Sequence, residues 1–431
     1  MSNVSKGVEI RILSRIGLII SVMPLVLTAR KISIEEAVNT ALEESITADQ
    51  ARLQKIQGGE ALVEGFAGFL PRVSASTSSS STSLDSLGSG SWSSQVSLAQ
   101  PVVDATAIIG LVSGFNQNAM YRKQSVQTLS KLIVEVEKSY YNLAKRESLM
   151  RSAEKAYERA QESEKAVKKR FELGDASKAD ALSAEAATLS AQMQLTLAEG
   201  QLKDARTHLS DLMLGRYEES SLETEELADP EMPDSLPSTI VSDELLKDNP
   251  DLAVLKRQTR SSNISVWQAW AALLPSLSIT AGKNFTQEGA IPVFSTWDDI
   301  PTGYGISISV PFIDIPSRAI GISRAHIARR QAHLAQSAQE LTTKELLSTL
   351  LYTQDVAYKS FEFAKKSEAL AREKYNLTIR SYELEASSIV ELMQAQADLA
   401  DAERALAEAK ANYWSSRADL NYVLGRSLEA R

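Results

Sequence analysis

The sequence predicts a mainly α-helical chain with a small β part, assembled from two copies of one large unit. Three observations carry this expectation. The first is repetition: Phe171-Glu172-Leu173 returns 211 positions later as Tyr382-Glu383-Leu384, and the same offset carries Ala184 to Ala395, Leu195 to Leu406 and Leu209 to Leu420. Both copies close on Leu-Gly-Arg, and Pro101-Val102-Val103-Asp104 returns as Pro311-Phe312-Ile313-Asp314. A period this long exceeds any solenoid repeat and marks duplication of a large unit. The second is a pair of long proline-free stretches with helical spacing, residues 106–173 and 317–384. The third is a pair of alternating segments in front of each.

Taken in order, residues 1–29 read as an export signal. Lys6, Arg11 and Arg15 precede an uncharged apolar run over residues 16–29. That run is shorter than the roughly 20 residues a spanning helix needs and suits a signal h-region, although Leu27 stands where a cleavage site prefers a small residue, and a retained membrane anchor is the competing reading. Repeat 1 covers residues 30–216 and starts with a helix over residues 34–65, where Ala37, Val38, Ala41 and Leu42 share one side. Leu70-Pro71 stops it, as Leu274-Pro275 does in the second copy. A Ser/Thr-rich stretch follows, in which Trp92, Ser94, Val96 and Leu98 alternate with Ser93, Gln95 and Ser97. In the second copy Leu277, Ile279, Ala281 and Phe285 share a face, and Tyr304, Ile306, Ile308 and Val310 oppose Gly305, Ser307 and Ser309. Period two means strand, so each half offers two strands.

The long helices beyond Pro101 and Pro311 reach on the order of 100 Å at about 1.5 Å per residue. Each breaks briefly, at Gly174-Asp175-Ala176-Ser177 and at Glu385-Ala386-Ser387-Ser388, before a second helix returns. Ser177 followed by Asp180, and Ser388 followed by Glu391, are capping-box patterns. Each half therefore contains a helical hairpin. The returning helices carry heptads: Leu392, Leu399, Leu406, Tyr413 and Leu420 beside Ala395, Ala402, Ala409, Ser416 and Val423, matched by Leu195, Leu202 and Leu209 beside Ala198, Ala205 and Leu212. A leucine–alanine seam lets helices approach closely in an intramolecular coiled coil. Residues 217–243 form an acidic linker, residues 244–426 are repeat 2, and residues 427–431 are a C-terminal tail.

The strands pose the functional question. Serine and glycine occupy one face, apolar and aromatic residues the other, as in a wall between lipid and water. A small soluble β-subdomain fits the same pattern. Four strands cannot close a barrel, and an open edge in hydrocarbon leaves backbone groups unpaired at several kcal/mol each. Strands that enter a membrane must therefore be pooled by several copies. Two copies would give eight strands, nearly plugged by side chains, whereas three would give twelve and a water-filled lumen.

Composition narrows the function classes. The chain has no cysteine, so it has no disulfide and no lipid-bearing cysteine, and its three histidines leave little material for a metal site. His326 and His333 are seven apart without a third ligand, and read as surface histidines, as does His208. No Walker loop, His-Glu-x-x-His or Gly-x-Ser-x-Gly occurs, and Gly110-Leu111-Val112-Ser113-Gly114 resembles no phosphate cradle. The sequence points away from an enzyme, and no cofactor is expected. Net charge is -9 and cations are interspersed with acids, so no nucleic-acid face is visible.

The order of helix, strand pair ending in Pro-x-x-Asp, hairpin with Arg170-Phe171-Glu172-Leu173-Gly174-Asp175-Ala176-Ser177 or Arg380-Ser381-Tyr382-Glu383-Leu384 at its tip, Leu-Gly-Arg, then all of it again, resembles the TolC-like outer-membrane efflux proteins. The resemblance spans residues 34–426. It implies a homotrimer in the Gram-negative outer membrane whose strands form one twelve-stranded barrel and whose helices form a periplasmic tunnel, ringed midway by short elements that include the linker. It implies passive exit, driven by a periplasmic adapter and an inner-membrane transporter of the RND or ABC type, for efflux or type I secretion. It further implies a periplasmic gate at Asp180, Tyr382 and Glu391, although both acids also read as plain helix-cap residues. Adapter contacts are expected at Leu173, Gly174, Asp175, Ser177, Leu384, Glu385, Ser387 and Ser388. Ser387 stands where the family has an arginine and Glu385 replaces the tip glycine, so the gate departs from the family pattern there. Trp92, Phe285, Trp297 and Tyr304 are the expected membrane-interface aromatics. A periplasmic adapter and a structural coiled-coil protein of the envelope are the competing readings. Cargo is not legible.

Overall fold

The computed structural model describes residues 30–80, 91–215, 222–232, 244–288, 301–310, 315–384 and 386–428. The first copy opens with a short strand β1 (Arg30–Ile32), then helices α1 (Ile34–Glu44) and α2 (Ile46–Ala67). One helix was expected over residues 34–65, and two are present. Ser45 explains the break: it adopts an extended conformation and its hydroxyl accepts from the Ala48 N–H, which starts a new helix where apolar spacing alone runs on. Strands β2 (Arg72–Ser80) and β3 (Ser91–Val103) follow, then helices α3 (Ala105–Leu173) and α4 (Lys178–Leu212). Asp104, the last residue of the repeated Pro-x-x-Asp, caps α3 by accepting from Thr106 N at 2.8 Å.

Within the acidic linker lies strand β4 (Leu222–Thr224), which pairs in parallel with β1. The second copy supplies α5 (Pro250–Ala271), β5 (Ser276–Glu288), β6 (Gly303–Ser309), α6 (Ile315–Glu383) and α7 (Ile389–Val423). Both long helices run for 69 residues and both returning ones for 35.

Four strands form one antiparallel sheet in the order β2-β3-β5-β6, so the two copies meet at β3 and β5. Register fixes the faces. Trp92 lies opposite Gln287, Ser94 opposite Phe285, Leu98 opposite Ala281, and Ala281 opposite Tyr304. Val73, Trp92, Val96, Leu98, Phe285, Ile279, Tyr304, Ile306 and Ile308 therefore share one mainly apolar face, with Thr77, Ser79, Ser94, Gln100, Gln287 and Lys283 among them. The other face holds Ser74, Ser76, Ser78, Ser93, Gln95, Ser97, Thr280, Gly282, Asn284, Gly305, Ser307 and Ser309. Neither outer edge, β2 nor β6, has a partner strand among the described residues.

The helices pack side by side in a layer. Near the sheet their lateral order is α2-α3-α5-α6, and towards the hairpin ends it is α4-α3-α7-α6. Most of the heptad seam is buried in this layer, including Leu392, Leu399, Tyr413, Leu202 and Leu209. The largest core lies midway, where Ile32, Val38, Leu132, Ile133, Val136, Leu143, Leu209, Met213 and Leu222 pack α1, β1 and β4 onto α3 and α4. Leu-Gly-Arg also finds its reason: Gly215 and Gly425 have φ of 64° and 75°, and a Cβ on Gly425 would collide with the Asp248 carbonyl.

Candidate functional site

Three features of this layer can act: the hairpin ends, a strap across the middle, and the open edges. At the first hairpin end Gly174 has φ +86°, and Asp175 N–H donates to Arg170 O at 2.8 Å, which satisfies the last carbonyls of α3. Ala386 N–H donates to Ser381 O at the same distance in the second hairpin. Glu385 lies outside the described residues. The returning helices start alike. Ser177 Oγ accepts from Asp180 N at 3.0 Å while Asp180 Oδ2 accepts from Ser177 N at 3.1 Å, and Ser388 and Glu391 repeat the exchange at 3.2 and 3.0 Å. Asp180 and Glu391, read from sequence as gate or cap acids, are thus both engaged as caps in the single chain.

The two hairpin ends touch. Val167, Ala184, Ile389 and Leu392 are buried together, with Tyr375, Ile379 and Tyr382 packed against them. Arg170 of α3 lies over the Tyr382 ring of α6 at 5.4 Å, so Tyr382 joins the hairpins. Further from the ends, Glu403 of α7 sits between Arg159 of α3 at 3.7 Å and Arg372 of α6 at 3.0 Å, and is only 10% exposed. Glu368 also binds Arg372 and, as the first cause, raises the guanidinium pKa. Gln396 donates to Ser163 Oγ at 2.9 Å across the same seam. Leu173 and Leu384, at matching positions of the two turns, are 69% and 80% exposed. Gly174, Asp175, Ser177 and Ser388 are exposed too, and Ser387 is half-buried.

Across the middle, residues 222–232 form a strap. Tyr140 donates to Ile32 O at 2.9 Å and accepts from Glu225 N at 3.0 Å, so one buried phenol ties β1 and the strap to α3. Burial pushes its pKa up to about 12. Buried Glu147 accepts from Thr224 N at 3.1 Å and Thr224 Oγ1 at 2.8 Å, and burial raises its carboxyl pKa. Asp229 pairs with Lys365 of α6 at 2.7 Å and Lys410 of α7 at 2.6 Å, and these partners lower its pKa. Tyr413 donates to Glu231 O and Trp414 to Ala228 O. The strap therefore crosses from the first hairpin to the second. A cavity of about 550 Å³ opens beside it, where Lys145, Arg151 and Arg206 face Glu147, Glu223 and Glu225.

The open edges are apolar. On α6, Ile320, Ile327, Leu334 and Leu341, then Val356, Phe363, Leu370 and Leu377, recur every seven residues and are exposed, and Leu384 just past its end keeps the spacing. At the opposite edge Ile56 and Val63 of α2, and Leu182, Leu189, Met193 and Leu197 of α4, are exposed as well. The sheet runs in the same order: its outer strands are β2, which follows α2, and β6, which precedes α6.

Of the expected interface aromatics, Tyr304 is exposed and Trp92 half-buried, whereas Phe285 is buried within the sheet surface; Trp297 lies outside the described residues. Sequence reasoning missed the strap and the Arg159–Glu403–Arg372 cluster. Partners there are far apart in the chain, and no local pattern announces them. The α6 stripe it could have found, because the seven-residue spacing is plain.

A sequence model of the family described as outer membrane efflux protein matches residues 37–215 and 241–426. The chain is similar to the CmeC outer membrane channel of Campylobacter jejuni, with a TM-score of 0.77 at 17% identity, covering 91% of this chain and 86% of that one. It is similar to the outer membrane protein VceC of Vibrio cholerae, with a TM-score of 0.74 at 14% identity over 91% and 96% of the two chains. The open state of the MtrE outer membrane channel of Neisseria gonorrhoeae gives a TM-score of 0.69 at 20% identity over 92% and 89%. Among curated proteins, nodulation protein T of Rhizobium leguminosarum bv. trifolii is 23% identical over 183 residues, which span 42% of this chain and 39% of that protein.

Proposed function

This chain belongs to the outer membrane efflux protein family, and we propose on that premise that three copies form one passive exit channel through the outer membrane. The observation that carries the trimer is the double open edge. A sheet with an apolar and a Ser/Gly face has two unpaired edge strands, and a helical layer beneath it ends on apolar stripes at the same two sides. One edge is unlike the other, so copies join head to tail and close into a ring. Twelve strands leave a lumen, and the Ser/Gly face lines it. The α6 stripe of one copy then packs on α2 and α4 of the next.

The hairpin ends form the periplasmic mouth, and the exposed Leu173 and Leu384 with their turns present a surface for a periplasmic adapter coupled to an inner-membrane RND or ABC-type transporter. Efflux or type I secretion is the resulting role, with energy supplied by the transporter. At the mouth, three Asp180 and three Glu391 would stand close together, where like carboxylates attract cations and resist joint ionisation. Their present engagement as caps means that such a ring would act through its net field while each acid keeps its helix start.

The test is direct. Detergent-purified protein should have the mass of a trimer and should conduct in planar bilayers, with conductance or cation block altered by Glu391→Gln. Monomer that stays soluble without amphiphile would end the reading.

A further inference from the structure

We propose that the helical section next to the sheet is a collar that docks the outer membrane's periplasmic leaflet through aromatic side chains and binds anionic phospholipid headgroups through arginine and lysine. The inference rests on the channel reading above and extends it beyond the barrel.

Helices α3 and α5 are inner members of the layer, flanked on both sides, so their exposed faces are not edges awaiting another copy. On α5, Trp267 and Trp270 are 67% and 49% exposed. They share a helix face with Lys256 and Arg260, and the opposite face is Gln258, Ser261, Ser265 and Gln268. On α3, exposed Ile108, Phe115 and Arg122 are seven apart on one face, opposite Thr106, Ser113, Gln117 and Gln124. Phe66 of α2 meets Phe115 edge-on at 6.1 Å. Both helices therefore have an aromatic-and-cationic side and a small-polar side. In the channel reading the polar sides are assigned to the lumen with the Ser/Gly face of the sheet, and the aromatic sides to the lipid side.

The vertical order also fits a membrane boundary. Trp267 precedes the end of α5 by four residues, and Arg260 lies seven residues deeper, about 10 Å. On α3 the order is set lower: Asn116 Nδ2 donates to Arg257 O at 3.1 Å, so Phe115 stands level with Lys256 and Arg260, and Arg122 lies about 10 Å deeper. Indole and phenyl rings favour the interface, and cations just beyond it gain about 1 kcal/mol each from an anionic surface. Residues 105–134, 252–271 and 315–339 hold ten lysines and arginines and no acid, in a chain whose net charge is -9. No ion pair engages Arg122, Lys256 or Arg260 among the described residues. Lys131 of this set is paired with Asp251 and Arg318 donates to Ala272 O, whereas the exposed cations Arg122, Lys256 and Arg260 can take an anion supplied from outside.

The experiment places the full-length trimer in nanodiscs of zwitterionic lipid with or without phosphatidylglycerol. Tryptophan quenching by lipids brominated near the headgroup is compared between the wild type, Trp267→Phe/Trp270→Phe and Trp92→Phe. We expect the double variant to lose a large part of the lipid-quenchable emission. We also expect Arg122→Gln/Lys256→Gln/Arg260→Gln to lower phosphatidylglycerol retention in native mass spectrometry several-fold while the trimer persists. Trp92 separates the two readings. Trp92 quenched by lipid, but Trp267 and Trp270 reached only by aqueous acrylamide, overturns the collar alone. No lipid quenching of Trp92 either would overturn the channel itself. Equal phosphatidylglycerol retention in wild type and triple variant overturns the headgroup assignment.

Discussion

The section of the helical layer beside the sheet and the section beside the hairpin ends use charge in opposite ways. Beside the ends, cations are matched inside the chain: Arg372 with Glu368 and Glu403, Lys374 with Asp398, Lys168 with Glu164. Beside the sheet, three helical passes carry cations without acids over residues 105–134, 252–271 and 315–339. The first section joins its helices through ion pairs within one copy. The second is incomplete alone, in its charges, its exposed aromatics and its strand edges. Both sections lie on the same pair of 69-residue helices, so the difference arises from what each level of the helix faces, not from helix type.

The largest expected effect breaks the sheet-side section. Ile306→Arg puts a cation on the apolar face of β6, at a cost of about 2–4 kcal/mol per copy near the middle of a bilayer. Summed over three copies, the change should abolish the detergent-resistant trimer on semi-denaturing gels. Ser307→Arg, one residue along on the other face, should leave the trimer intact and alter conductance. Equal tolerance at both positions would show that the two faces meet the same solvent.

How much of this was legible in the sequence follows from the range of the interactions. Hairpin turns and caps were, because Gly174, Ser177, Asp180, Ser388 and Glu391 act within six residues of one another in each turn. Strand faces were legible for β6, where Tyr304, Ile306 and Ile308 alternate cleanly, and less so for β5, where Lys283 shares the apolar face. The Ser45 break was masked by apolar spacing that continues through it. The strap was out of reach. Two three-residue strands pair in parallel across 192 positions, held by a tyrosine and a glutamate that resemble any other helix residue until their burial is seen.

A middle-sized effect sharpens the end-side section. Glu403→Ala would leave Arg159 and Arg372 facing each other without the intervening carboxylate. Removing one partner of a fully buried pair costs about 3–5 kcal/mol, and the partial exposure of Arg372 reduces this to about 1–3 kcal/mol. The expected outcome is faster hydrogen exchange along both hairpins beyond Arg159 and Arg372, with higher single-channel conductance and no change in trimer yield. Loss of the trimer instead would mean that the cluster supports assembly and not the mouth.

The smallest effect concerns the strap between the two sections. Lys365 and Lys410 hold the Asp229 carboxyl below its ordinary value of 3.8. Because the folded pKa is depressed, the tie's contribution is complete above that ordinary value and is lost as pH falls through the folded pKa. Both Asp229 and Lys365 are about half-exposed, so solvent screening keeps the contribution to about 0.2–1 kcal/mol. Asp229→Asn should therefore lower the thermal midpoint slightly at pH 7, and the gap from wild type should close as the medium is taken below pH 3.8. Lys410, which also donates to Leu227 O, keeps part of the strap in place in either case. A gap that persists unchanged in strong acid would assign the role of Asp229 to packing, with the charge incidental.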